Sequence, residues 1–113
     1  MIEIRPARPG DFPPVCGKAN DRTVIAFTVE WGGEPVCIAG VTLEKGQFII
    51  FSDIREGVNA PKMTVWRTAR KLAERIKSLN LPAVTAPCHT GRFLETLGLT
   101  YCASCEEGDI YRI

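Results

Sequence analysis

The residues able to do chemistry fall from Asp53 onward. His89 is the only histidine. An imidazole titrates near neutral pH and so can act as a general base. The plainer reading is a hydrogen-bonded loop residue. Asp53 closes the apolar run QFIIFSD and is either a proton acceptor or an acid that caps the strand end. Cys88, His89, Cys102 and Cys105 supply zinc-ligand types. However, only one CxxC is present, and residues i and i+3 of a strand face opposite ways, so no metal is assigned. The loop Gly57-Val58-Asn59-Ala60-Pro61-Lys62-Met63 leads from that strand into a basic helix. Such junctions hold phosphates because the first amides of a helix lack intrahelical partners. Pro61 removes one donor. The amides of Lys62, Met63 and Thr64 remain, helped by the Lys62 ammonium and the Thr64 hydroxyl.

These groups need elements to position them. Ile2-Glu3-Ile4-Arg5 alternates like a strand. Asp11 suits the N-cap of a short helix over about 12–19, with prolines in its first turn. Residues 23–31, 34–43 and 47–53 read as three strands joined by Gly32-Gly33 and by Glu44-Lys45-Gly46. The centre of the third, Phe48-Ile49-Ile50-Phe51, is apolar without alternation, which predicts burial on both faces. Val65, Ala69, Leu72, Ala73, Ile76 and Leu79 share one helical face, and Asn80 and Pro82 stop that helix. Arg67, Arg70, Lys71, Arg75 and Lys77 fall largely outside that face and read as solvated, while Trp66 is either a core edge or an exposed anchor. A strand in AVTAPC, a helix over 90–98 and strands in LTYCASC and DIYRI, joined by EEGD, complete the chain. The order β-α-β-β-β-α-β-α-β-β predicts one α/β (α+β) domain over 1–113, a mixed sheet with helices on both faces.

Composition narrows the function classes. With 113 residues and 24% charged residues, the chain suits one ordinary globular domain. A net charge of +1 gives no general pull toward nucleic acid or membrane. No apolar run is long enough to span a bilayer, and no signal-peptide core follows Met1, so a cytoplasmic location is expected. The odd count of five cysteines favours free thiols.

Three stretches resemble GNAT-fold acyltransferases. IEIRPARPGDFPPV resembles their opening, often IRPATPEDIPAV; VEWGGEPVCIAGV resembles their second and third strands; RFLETLGLTY resembles their C-terminal xFYEKLGF. Together they cover nearly the whole chain in family order. The sequence is also similar to a phage- and prophage-encoded GNAT-like group whose loop lacks the usual glycines. The resemblance implies acyl transfer from acetyl-CoA or another acyl-CoA to an amine acceptor. It places Phe51 beside the pantetheine arm, and Asn59, Lys62, Met63 and Thr64 at the pyrophosphate. It also places His89 in the gap between the fourth and fifth strands, and Asp53 near where some members hold a catalytic carboxylate. Family members often form homodimers.

The departures carry weight too. The family loop, Arg/Gln-x-x-Gly-x-Gly/Ala, has its glycines near Met63 and Val65. The position of the family's thiolate-protonating tyrosine aligns with Leu94, and the acceptor-side segment after the first helix is trimmed. A second reading is therefore a non-catalytic GNAT-fold module, of phage or prophage kind, that binds a host or virion protein partner.

Overall fold

In the computed structural model the described residues are 2–21, 23–81, 83–86, 94–95, 98–105 and 108–112, with the backbone alone for Lys62 and Cys105. Seven strands form one mixed sheet: β1 (Ile2–Pro6), β2 (Val24–Trp31), β3 (Glu34–Glu44), β4 (Gln47–Ile54), β5 (Val84–Ala86), β6 (Thr100–Cys105) and β7 (Gly108–Arg112). Their spatial order is β1-β2-β3-β4-β5-β7-β6. Two helices are described, α1 (Phe12–Cys16) and α2 (Lys62–Lys77). Of the helix expected over 90–98, Leu94 and Glu95 are helical, Gly98 is in a turn, and the rest lies outside the described residues.

The turns explain the meander. Gly32 and Gly33 sit at φ 64° and 83°, and Lys45-Gly46 at 50° and 76°. Paired left-handed residues give a two-residue turn whose twist matches the strands it joins. β1, β2, β3 and β4 therefore follow one another antiparallel, and β4 lies mid-sheet. Gly40 allows β2 and β3 to approach closely. A Cβ there would lie 2.6 Å from the Ala26 Cα and would also strike the Ile25 carbonyl oxygen.

The sheet buries both faces of β3. Ile38 packs with Phe12 and Val15 of α1 on one face. Ala39 packs with Phe27, Val29 and Leu72 of α2 on the other, and Val41 joins Ile76, Val84, Leu94, Leu99 and Tyr111 there. The helices thus cover opposite faces.

Three local expectations are corrected. α1 ends at Cys16, because Gly17 turns left-handed at φ 80°. The residue before α1 is indeed Asp11, but its carboxylate does not cap that helix. It accepts two 2.8 Å bonds from the Arg5 guanidinium, 2.7 Å from the Arg8 amide and 2.8 Å from the Thr28 hydroxyl. Asp11 therefore ties β1, the 3-10 turn at Pro9–Asp11 and β2 together. Second, Phe48–Phe51 are half-buried, not enclosed on both faces. α1 is a single turn and meets β4 chiefly at Phe51, and on the other face α2 leaves part of β4 open. Third, only the later part of α2 is buried: Leu72, Ala73 and Ile76 are core, while Val65 is 47% exposed. Arg75 stays exposed, as expected, with its guanidinium 6.0 Å from the Phe27 ring centre. Asn80, at φ 55°, follows the helix end as expected.

Candidate functional site

The geometry begins where β4 parts from β5. β3 pairs with β4 from Glu44↔Gln47 to Cys37↔Ile54. On its other side β4 meets the parallel β5 at one register point, Ile49↔Thr85. Residues 50–54 run on with no strand beside them on that side among the described residues. The described part of β5 ends at Ala86, and the carboxyl ends of parallel strands are where open α/β sheets collect ligands.

The chain then crosses to α2. The Arg55 amide donates to the Val36 carbonyl at 2.8 Å, and Gly57 turns at φ 85°. Pro61 is the extended residue before the helix, and no side chain caps it. The first intrahelical bond runs from the Val65 amide to the Pro61 carbonyl at 3.1 Å. The amides of Lys62, Met63 and Thr64 come before it. They head a 16-residue helix whose dipole favours an anion at that end.

Between the first half of α2 and the sheet lies a cavity of about 530 Å³. Thr64, Val65 and Ala69 line it from above, and Ala39, Phe51 and Ser52 from below. Two of its lining hydroxyls are already bonded: Thr68 donates to the Thr64 carbonyl and Thr42 to the Thr23 carbonyl. The wall is therefore mainly hydrocarbon.

The residues singled out in the sequence divide among several places. Phe51 and Thr64 line the cavity. Asn59 and Met63 are exposed, and Lys62 opens the helix. Asp53 sits opposite Ile38 and so on the α1 face, with the Cys16 thiol donating to its carboxylate at 3.4 Å. It stands at the open end of β4 but does not line the cavity. His89 and Cys88 of the four zinc-ligand types lie outside the described residues, and Cys102 is exposed. Leu94, at the tyrosine position, is core, and Tyr101 is exposed on β6.

Some site features escaped the sequence reading. Cys37 lines the cavity, and burial pushes its thiol up to about 11, with Asp53 and Cys16 adding to the shift. The Tyr101 and Ser104 hydroxyls are 2.7 Å apart, and Ser104 donates to Asp109 at 2.8 Å. A register shift between Tyr101 and Ala103 accounts for this pairing. It puts residues three apart on one face of a strand. The cavity left one faint trace, the small residues Ala39, Ser52 and Ala69 on facing elements.

Comparison with solved structures fixes the fold. The chain superposes on an acetyltransferase from Agrobacterium tumefaciens str. C58 with a TM-score of 0.59 at 16% identity, over 99% of this chain and 90% of that one. It superposes on the ribosomal-protein-S18-alanine N-acetyltransferase from Escherichia coli with a TM-score of 0.58 at 11% identity, over 98% and 90%. The chain has the GNAT fold. No family model matches the sequence, and no curated protein does.

Proposed function

We propose that this protein is an acyl-CoA-dependent N-acyltransferase whose donor binds along the open end of β4 and at the first turn of α2. One observation carries the reading: among the described residues β4 and β5 pair at Ile49↔Thr85 alone, and the uncapped start of α2 lines the same cavity as the carboxyl end of β4. The residues fit the donor in part. Three amides ahead of the first helical bond can hold a phosphate group without glycines, although Pro61 contributes none. A bound acyl thioester would supply the activated carbonyl. The chain's own part is to anchor an anion at Lys62–Thr64 and to keep β4 residues 50–54 open for an extended ligand. It must also take the proton that the attacking amine loses.

Two groups are assigned to that proton. Asp53 holds a carboxylate at the end of β4, and His89 follows β5 in sequence. Substituting the true base lowers kcat about a hundredfold or more. Asp53→Asn and His89→Gln are compared by pH–rate profile, and the variant that flattens the basic rise identifies the base.

The test of the reading is thermal unfolding with acetyl-CoA. Ligand at a hundredfold excess over its Kd adds about 2.7 kcal/mol of stability, which raises Tm by several degrees. An unmoved Tm at millimolar acetyl-CoA rejects the proposal. A second reading, a non-catalytic module that binds a protein partner, draws on the non-glycine loop and the exposed Met63 and Trp66 on α2. Measured acyl transfer rejects it.

A further inference from the structure

We infer that the cavity beneath α2 binds a linear aliphatic chain, and that the acyl donor therefore carries a medium-length acyl group and not only an acetyl group. The identity of the donor rests on the transferase reading above; the chain-binding cavity does not.

The space is shaped for a chain. Ser52 and Ile54 floor its open part and Thr64, Thr68 and Ala69 roof it, Val29, Ala39 and Leu72, which pack on one another, close it inside, and it extends to Ile2 of β1. From β4 to β1 is three strand spacings, roughly 15 Å. The volume of about 530 Å³ lies within the range of ligand pockets. An acetyl group would leave nearly all of it empty. A void this large forfeits the close contacts that hold a core together, and a hydrocarbon wall offers water few partners.

The entrance agrees. Ile54 is 62% exposed and Val65 is 47% exposed, and both line the cavity. They stand at the open end of β4 and the first turns of α2, where the donor is placed above. The charged residues along the described lining, Glu44 and Lys77, lie at the far end, beside the β3–β4 turn and at the end of α2. A chain entering past Ile54 and Val65 meets hydrocarbon first. A branched or charged ligand would gain less from such a wall.

The experiment is a calorimetric titration of the full chain with acetyl-CoA, octanoyl-CoA, dodecanoyl-CoA and free decanoate. Each buried methylene tightens binding roughly three- to fourfold. Dodecanoyl-CoA is therefore expected to bind at least a hundredfold tighter than acetyl-CoA. Ala69→Phe, which fills the roof, is expected to shrink that ratio tenfold or more. The chain-length series on the unaltered protein decides the matter even if the variant does not fold. Equal affinity for every acyl-CoA overturns the inference and leaves the transferase reading intact. Decanoate binding without any CoA thioester binding upholds the chain site and rejects the transferase reading. Binding of none of the four overturns both.

Discussion

Asp11 is the residue whose surroundings dictate its effect most fully. Its carboxylate is buried and takes four bonds from Arg5, Arg8 and Thr28. The Arg5 guanidinium is the main reason its pKa lies well below the usual carboxylate range, against the opposing effect of burial. A depressed folded-state pKa adds stability that is complete above the unfolded value, about 4, and is lost as pH falls through the folded value. Asp11→Asn is therefore expected to lower the unfolding free energy by about 3 kcal/mol near pH 7, because half-buried Arg5 loses its two 2.8 Å bonds to a carboxylate and keeps only the longer 3.3 Å pair with Glu30. Urea titrations should show that deficit constant above pH 5 and shrinking below pH 4. Cys37 behaves in the opposite sense. With its thiol pushed up to about 11 by burial, iodoacetamide at pH 8 should alkylate exposed Cys102 well before Cys37. The sequence announced Asp11 as a helix-start residue but not its partners. The Arg5 and Thr28 contacts depend on β1 lying beside β2, and no local pattern reports that.

At the scale of elements, the strands were legible and α2 was legible only in part. The double left-handed turns at Gly32-Gly33 and Lys45-Gly46 fixed the meander, and the observed strands differ from the expected ones by one or two residues at their ends. The periodic face of α2 ran from Val65 to Leu79, yet burial sets in only toward Leu72. Periodicity tells which side of a helix is apolar; it does not tell how closely that side meets the sheet. The two halves should therefore respond differently. Leu72→Ala should cost about 2–4 kcal/mol and Val65→Ala less than about 1 kcal/mol, as read from denaturant midpoints at constant m. Gly40→Ala should cost about 1–3 kcal/mol, because the added methyl meets the β2 backbone, which cannot shift without disturbing the ladder.

For the molecule as a whole, the GNAT fold was readable from three weak motifs in the right order, since each marks an element end where backbone geometry limits residue choice. The site was less readable. Thr64 lines the cavity, and so do Ser52 and Ile54, whereas Asp53 between them turns to the α1 face, because successive strand residues alternate. The cavity itself had no sequence mark beyond scattered small side chains. No helix among the described residues is long and apolar enough to cross a membrane. In the function proposed above, the carboxyl end of β4 and the start of α2 together hold coenzyme A. Amide hydrogen exchange with and without saturating coenzyme A tests it most directly. Slowed exchange in peptides covering residues 50–54 and 58–66 is the predicted result. Unchanged exchange in both, at ligand concentrations in the millimolar range, would contradict it.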